Sequence, residues 1–268
     1  STHGRRQAPS RWRREAGLIH SLWRRDLIRL LRERSRWLGV VLQPLLFWLL
    51  IGSGMGSSFA IAGSDVDYLT FFFPGIVVMI ILFTTIFASM AVIEDRQQGF
   101  LQQVLVAPGS RLSLVLGKVA GVTTVALVQV VLCMVVAPAA GFPLGGIAWL
   151  DLLVGTIVGC VGLAGLSFAM AWVLNSTHGY HALMAVILLP LWMVSGAMFP
   201  PQGSWIDTVM TLNPMTYLVD TLRFALHGGA PPATTTSAGT ALLVLSLFAV
   251  AMIALSAWLV DRVRRDGP

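Results

Sequence analysis

Charged side chains are scarce in this sequence. Only 11% of its 268 residues are Asp, Glu, Lys or Arg, whereas 56% are apolar and the mean hydropathy is +0.79. A soluble domain carries roughly 25% charged residues, because its surface must be solvated. The shortage therefore excludes a soluble globule of this length and indicates a chain whose surface faces lipid.

Cysteine is also scarce, with only two residues, Cys133 and Cys160. Each lies inside an apolar run and no CxxC spacing occurs, which argues against a zinc site and a disulfide framework. We expect both to be buried packing residues. The first 35 positions also lack a short apolar stretch followed by a small-residue cleavage site, so no cleavable signal peptide is predicted.

A nucleotide-binding loop is missing as well. The only candidate, Gly117-Lys118, has Leu112 where the motif needs its first glycine and Val119 where it needs Ser or Thr. The chain alone is therefore not expected to hydrolyse ATP. Ionisable residues are nearly absent from the apolar segments, which argues against an intramembrane enzyme and against a proton- or sodium-coupled carrier.

Six apolar segments are long enough to cross a bilayer, for which about 20 residues are needed. The predicted fold is therefore an all-α integral membrane protein with six transmembrane helices. The spans are residues 38–58, 71–93, 114–138, 149–174, 181–200 and 238–260. The predicted divisions are a basic arm with an amphipathic interfacial helix (1–37), a six-helix transmembrane domain (38–260) and a cytoplasmic tail (261–268).

A few residues inside these spans carry structural signals. Gln43 and Gln129 are the only strongly polar residues well inside spans and are expected to hydrogen-bond between helices. The pair Gly155 and Gly159 forms a GxxxG motif, which favours either contact between subunits or tight packing within one bundle. Pro74 predicts a kink in the second span.

Basic residues cluster on one side of the predicted bundle. With the N-terminus inside the cell, 17 of the 18 Lys and Arg residues lie on the cytoplasmic side, and only Arg223 lies outside. This bias sets the direction of insertion, so both termini are predicted to be cytoplasmic in a bacterial plasma membrane. The net charge of +6 thus indicates contact with membrane lipid, and nucleic-acid binding is not expected.

The cytoplasmic segments contain two further predicted helices. Residues 17–36 alternate apolar and arginine faces at helical spacing, which predicts an amphipathic helix at the membrane surface. The connection 94–118 predicts a short helix with Leu101 and Leu105 on its apolar face, which Pro108 ends.

The long external connection, residues 201–237, predicts a different structure. Its stretch from Met215 to Leu226 is helix-like and follows an Asn213-Pro214 turn. The connection has an apolar surface that needs a partner, so it is expected to dip back into the membrane as a re-entrant loop or to cap the bundle.

Motifs at several places along the chain together resemble the type-two ABC export permeases, which serve drug, lipid and polysaccharide exporters. Each motif alone is weak, but their order and spacing cover nearly the whole chain. The motifs are Gln43-Pro44, Phe73-Pro74-Gly75, Glu94-x4-Gly99-x-Leu101, Pro108-x2-Arg111, Gly117-Lys118, Ser195-Gly196-Ala197-Met198-Phe199-Pro200 and Asn213-Pro214-Met215-x-Tyr217-x2-Asp220-x2-Arg223.

The resemblance implies a complex of two permease subunits, identical or paralogous, with two ABC-type ATPase subunits. It implies that ATP and magnesium bind the partner and that this chain carries no cofactor. It also implies that a coupling helix after the second span docks on the ATPase, assisted by the amphipathic helix. Our own hypothesis is that Glu94, at the start of this segment, pairs with an arginine near the end of the amphipathic helix, such as Arg29, Arg32 or Arg36. The implied coupling residues are Glu94, Arg96, Gly99, Leu101, Leu105, Pro108 and Arg111.

The same resemblance implies a substrate pathway at the dimer axis, formed by spans one, two and five. An aromatic lining suits a hydrophobic or amphipathic substrate, although the same aromatics are equally compatible with lipid-facing belts. The candidate lining residues are Phe47, Trp48, Phe73, Trp192, Met193 and Phe199; the external-loop residues of the motif are Asn213, Pro214, Tyr217, Asp220 and Arg223.

The expected function is therefore the permease subunit of an ATP-driven exporter, not itself an enzyme. The alternative is a non-transporting membrane scaffold or assembly factor that holds anionic lipid with its basic arm. Copurification with an ATPase favours the first, and a dispensable 94–111 connection favours the second. The residues identify neither the substrate nor whether the two permease subunits are identical.

Overall fold

The computed structural model describes residues 11–56, 65–99, 110–174, 176–231 and 233–265. All regular structure in these ranges is helical. Six of the helices are long and apolar enough to cross a membrane, as predicted. The helices are α1 (Arg11–Arg32), α2 (Arg34–Met55), α3 (Tyr68–Gln97), α4 (Arg111–Cys133), α5 (Trp149–Val173), α6 (Thr177–Ala197), α7 (Trp205–Leu212), α8 (Pro214–Leu226) and α9 (Ala238–Arg265).

Helix boundaries differ from the prediction around the connection between the second and third spans. Helix α3 continues through Gln97, so Glu94 and Arg96 lie in its last turns and not in a connection. Gly99, with φ of +73°, follows the end of the helix in the left-handed conformation that glycine adopts most easily. Residues 100–109, which contain the predicted coupling helix with Leu101, Leu105 and Pro108, lie outside the described residues.

Helix α3 forms the centre of the bundle and is buried along nearly its whole length. Its Pro74 has no N–H to donate, and the carbonyls around it accept hydrogen bonds from side chains of other helices. Trp48 Nε1 donates to Leu69 O at 2.8 Å, and Trp192 Nε1 donates to Gly75 O at 2.8 Å. These bonds fix α2 and α6 against the proline region of α3.

The amphipathic helix α1 packs against α4. A Cβ on Gly117 would lie 2.9 Å from the Cβ of Leu22, so the absence of a side chain allows the two helices to approach closely. Trp23 Nε1 also donates to Thr124 Oγ1 at 3.0 Å. Helix α1 is thus held by protein contacts along α4, and Trp23 points into that contact.

The GxxxG motif of α5 packs within the chain. Cβ atoms on Gly155 and Gly159 would lie 2.8 Å from Thr221 and 2.3 Å from Leu218, both on α8. Of the two interpretations of the motif, tight packing inside one bundle is therefore the one observed. Gln129 likewise makes its expected contact between helices, because it accepts a hydrogen bond from Thr84 of α3.

Helix α6 passes its internal proline without a break. The π-helical segment Met184–Leu188 precedes the α-helical turn that contains Pro190. A second wide turn, Met193–Ala197, follows it and is kinked at Gly196, which has a non-helical φ of +79°. A wider turn accommodates a residue that cannot donate its backbone N–H, so the helix passes Pro190 with a local change of pitch.

The 201–237 connection is largely helical, as α7 and α8. Helix α8 packs on α5, α9, α3 and α6 and so caps the bundle, as predicted for the stretch from Met215 to Leu226. Helix α7, in contrast, presents Trp205, Ile206, Val209 and Leu212 to the surroundings. Its amphipathic character suits the membrane interface.

Gly75 sets the approach of α3 to α6. A Cβ there would lie 2.5 Å from the Cβ of Ala197 and 2.9 Å from its Cα, which is backbone and cannot rotate away. We therefore expect Gly75→Ala to lower the free energy of unfolding by about 1–3 kcal/mol, measured by thermal unfolding in detergent. Gly39→Ala, on an exposed position of α2, is the matched control and should cause no loss. Equal melting temperatures for the two variants would contradict the close packing.

Candidate functional site

A network of charged side chains joins α1, α3 and α4 at one end of the bundle, called here the basic end. Its centre is Asp95, whose side chain is 1% exposed. Arg25 Nη2 lies 2.9 Å and Arg29 Nη1 3.0 Å from Asp95 Oδ1. Lys118 Nζ lies 3.0 Å from Asp95 Oδ2. One buried carboxylate therefore binds cations from two other helices.

The helices place these groups by their spacing. Arg25 and Arg29 are four residues apart and share one face of α1, while Lys118 lies two turns into α4. Asp95 is in the last turn of α3, where the helix dipole disfavours an anion. Three cations around it offset both this dipole and the loss of hydration, so Asp95 is held as a carboxylate by its neighbours.

Glu94 forms a second contact with α1. Arg29 Nη2 donates to Glu94 Oε2 at 2.6 Å, which confirms the predicted pairing of Glu94 with an arginine of the amphipathic helix and selects Arg29. The Glu94 side chain is 34% exposed, so this ion pair lies at the rim of the network. Arg29 thus binds both consecutive carboxylates of α3.

Further contacts extend the network to the rest of the basic end. Lys118 Nζ also donates to Asp26 Oδ2 of α1 at 3.2 Å. Arg96 donates to the carbonyl of Trp172 at the end of α5 at 2.6 Å and its guanidinium lies 5.2 Å from that indole ring. Arg111 forms an ion pair with Asp261 of α9. The ends of five helices are thereby joined at one level.

Asp95 is the residue that sequence reasoning missed. The family motif contains Glu94 but not Asp95, although Asp95 follows it directly. A signal was present in Lys118, the only lysine of the chain, because a cation inside an apolar span needs a buried partner. Choosing that partner among the 12 acidic residues required the tertiary structure.

The opposite end of the bundle contains a buried cation. Arg223 of α8 is 1% exposed, and its Nη2 donates to Gly196 O at 3.0 Å and to Phe71 O at 3.3 Å. Its guanidinium lies 4.4 Å from the Phe71 ring. The Phe71 carbonyl lies three residues before Pro74, so Arg223 connects α8 with the proline region of α3 and the end of α6.

Asp220 lies beside Arg223 and fixes the linker that follows α8. Its Oδ2 accepts from the backbone N–H groups of Thr235 at 3.0 Å and Thr236 at 3.2 Å. The Arg223 Nη1 to Asp220 Oδ1 distance is 3.9 Å, an ion pair without a hydrogen bond. Burial raises the pKa of Asp220 to about 6, because lost hydration outweighs the guanidinium and the N–H donors.

The remaining residues of the 213–223 motif form the start of α8. Asn213 accepts from the Met215 backbone N–H at 3.0 Å and donates to Leu191 O of α6 at 2.5 Å, so it caps α8 and anchors it to the fifth span. Pro214 occupies the first helical turn, where its missing N–H costs nothing. Tyr217 donates its hydroxyl to Thr211 O of α7 at 2.6 Å.

The six candidate pathway residues occupy different environments. Trp48, Phe73 and Trp192 are buried in the interior of this chain. Met193 and Phe199 are each 43% exposed, and Phe47 is partly buried beside Trp192 with ring centroids 6.3 Å apart. The structure therefore does not bring the six together on one surface of the chain, and the pathway stays a prediction.

Comparisons with known proteins agree on one family. The family model for the ABC-2 type transporter matches residues 17–227. The chain is 30% identical over 214 residues to a protein of Cyanophora paradoxa named as a transport permease, ycf38, covering 76% of this chain and 72% of that protein. The Porphyra purpurea protein of the same name is 26% identical, covering 77% and 72%. The daunorubicin resistance ABC transporter permease protein DrrB1 of Streptomyces coeruleorubidus is 22% identical, covering 84% and 80%.

Removing the charge of Asp95 tests the network. Asp95→Asn would remove the buried carboxylate that Arg25, Arg29 and Lys118 share, so we expect a loss of about 3–5 kcal/mol in the free energy of unfolding. Glu94→Gln, at the rim, should cost about 0–1 kcal/mol. Denaturant titration of both purified variants measures the difference. Equal losses would show that Asp95 is not the centre.

The raised pKa of Asp220 makes stability depend on pH. The side chain titrates near 3.8 when unfolded and near 6 when folded, so between these values the folded state binds more protons. The free energy of unfolding therefore falls as pH rises through this window. We expect Asp220→Asn to remove that fall, so that the wild-type melting temperature decreases relative to that of the variant from pH 4 to 6. A difference independent of pH would contradict it.

Proposed function

The chain belongs to the ABC-2 type transporter family and is the permease of an ABC transporter, and from that premise we propose that it exports a hydrophobic or amphipathic substrate with energy from a separate ATPase. The observation that carries the proposal is the charge network of the basic end. It joins both helices that flank the connection between the second and third spans to α1. We place this end in the cytoplasm, because the basic residues cluster there.

The network suits the transmission of force. Asp95 lies just before the 98–110 connection and Lys118 lies shortly after it, and both contact α1. A displacement of that connection by a bound ATPase would move α3, α4 and α1 together as one body. Rigid-body motion of this kind is how small changes at one site reach a distant one.

The energy source is proposed to lie on the partner. The only nucleotide-loop candidate, Gly117-Lys118, is part of α4, and Lys118 is engaged by Asp26 and Asp95. A lysine in that setting cannot also bind a phosphate. ATP and magnesium are therefore assigned to the two ATPase subunits, and this chain is given no cofactor.

A second permease copy or paralogue is proposed to cover α2. This helix exposes an apolar row on one side, and Gln43 is an exposed polar side chain within the span. The Gln43 side-chain amide lacks hydrogen-bond partners if it faces lipid. A polar group of a second subunit or of a substrate would supply them. The row consists of Leu38, Leu42, Leu46 and Leu49.

The substrate class and direction are proposed from the same features. Met193, Phe199 and the partly buried Phe47 border the α2 and α6 surfaces and offer an apolar, polarisable wall. The name of the Streptomyces coeruleorubidus relative associates that protein with daunorubicin resistance. We propose outward movement of a drug, lipid or glycan conjugate across a bacterial plasma membrane, with both termini in the cytoplasm.

The experiment uses the chain coexpressed with an ABC-type ATPase and reconstituted in vesicles. We expect copurification with the ATPase and ATP-dependent transport that Glu94→Ala reduces at least about tenfold, because one link between α3 and α1 is lost. Asp151→Ala, an exposed carboxylate at the other end of the bundle, is the matched control and should retain transport. Transport without any ATPase would contradict the proposal. A chain that never copurifies with an ATPase would favour the membrane scaffold.

A further inference from the structure

Arg96, in the last turn of α3, points to another helix of the same chain. Its Nη1 donates to Trp172 O of α5 at 2.6 Å, and its guanidinium carbon lies 5.2 Å from the centre of the Trp172 ring. Trp172 is only 3% exposed. Arg96 therefore contacts both the backbone and the side chain of one buried residue.

The contact stabilises the end of a helix. The last four carbonyl groups of an α-helix lack N–H partners within the helix, and Trp172 is the penultimate residue of α5. Helices α3 and α5 both end here, so the negative ends of their dipoles lie close together. The Arg96 cation offsets the repulsion between them and so favours this alignment of the two helices.

The indole ring of Trp172 makes the side-chain contact, and its N–H group does not. Trp172 Nε1 is buried and has no hydrogen-bond partner in the described part of the chain. The ring contacts the Arg96 guanidinium and stacks on Phe168, with ring centroids 5.6 Å apart and an interplanar angle of 14°. A buried donor without a partner is unfavourable, so a phenyl ring should serve equally well at this position.

Trp172 lies directly before the corner that joins α5 to the fifth span, α6. Only residues 174–176 separate the two helices, and the Ser176 hydroxyl caps α6 by accepting from the Gly179 N–H at 3.2 Å. Tyr180, in the first turn of α6, is fully buried. Because so short a connection has little reach, a displacement of the end of α5 also moves the start of α6.

Arg96 also adjoins the 98–110 connection, on which the proposed ATPase acts. Its neighbour Asp95 is bound by side chains of α1 and α4, so a displacement of the connection reaches those two helices. The Arg96 contact adds a route to α5 and α6. Helix α6 carries the candidate pathway residues Trp192 and Met193.

We propose that Arg96 and Trp172 are a positioning pair that transmits displacement of the 98–110 connection to the corner of α5 and α6, and thereby to the fifth span. The proposal rests on the proposed function, because it requires an ATPase that acts on this connection. It assigns Arg96 to a contact within the chain, whereas direct contact with the ATPase is the competing role.

The first test needs no ATPase and measures hydrogen exchange of the full chain in nanodiscs. In Arg96→Gln, the backbone amides of residues 177–181 should exchange at least about tenfold faster than in the wild type, because the corner loses its link to α3. Arg262→Gln is the matched control, since Arg262 lies 5.2 Å from the Trp258 ring of its own helix and that contact joins no second helix. Unchanged exchange in Arg96→Gln would overturn the proposal.

The second test uses the chain coexpressed with an ABC-type ATPase and reconstituted in vesicles. At equal amounts of bound ATPase, Arg96→Gln should transport at least about tenfold less substrate per ATP hydrolysed, whereas Arg96→Lys keeps a charge-assisted donor and should retain most transport. Transport that falls only in proportion to ATPase lost from the complex would assign Arg96 to docking and overturn the proposal. A wild type without ATP-dependent transport would contradict the proposed function itself, and the exchange measurement separates this result from failure of the pair.

Variants of Trp172 test the pair from its other side. Trp172→Phe keeps an aromatic ring and should match the wild type in both measurements. Trp172→Leu keeps only the carbonyl contact, so its exchange at residues 177–181 should be at least about threefold faster and its transport per ATP lower. These two variants decide the matter even if Arg96→Gln does not assemble, because equal behaviour of Phe and Leu at this position would overturn the proposal.

Discussion

The buried carboxylate of Asp95 is the constraint on which the basic end of this protein depends. Removing a carboxylate from water costs several kcal/mol, and here the position near the C-terminal end of α3 adds an unfavourable dipole. Arg25, Arg29 and Lys118 compensate this cost only if α1 and α4 keep their places. The electrostatic requirement of one residue therefore fixes three helices against each other.

The other end of α3 is organised by the opposite charge. Arg223 donates to the Phe71 carbonyl near Pro74, and the indoles of Trp48 and Trp192 donate to carbonyls on either side. A helix of 30 residues extends about 45 Å at 1.5 Å per residue. Helix α3 is thus held by polar contacts at both ends, with a largely apolar stretch between them in which Thr84 donates to Gln129. Such a rod transmits displacement from one end to the other, as the proposed coupling requires.

Small residues determine how closely the remaining helices approach. Lipid offers helices no hydrophobic reason to associate, so packing contacts must supply the stability. Gly75 brings α3 against α6, Gly117 brings α4 against α1, and Gly159 brings α5 against α8. Where a small residue faces a gap, as at Ala88 and Ala164, a small cavity remains. The same residue types thus produce close contact in one place and a cavity in another.

Hydropathy and charge in the sequence were sufficient to determine the membrane class, the six spans and the amphipathic helix, because each depends on the local run of residues. The sequence also predicted that Glu94 pairs with one of three arginines near the end of the amphipathic helix, and the structure identifies Arg29 as that partner. The sequence could not identify Asp95 as the centre or choose between the two interpretations of Gly155 and Gly159. For Arg223 the sequence predicted only an isolated charge on the external side, not its buried contacts with Phe71 and Gly196. These depend on which distant segments meet, and only the tertiary structure decides that, because a buried charge or a missing side chain has its effect through its neighbours in space.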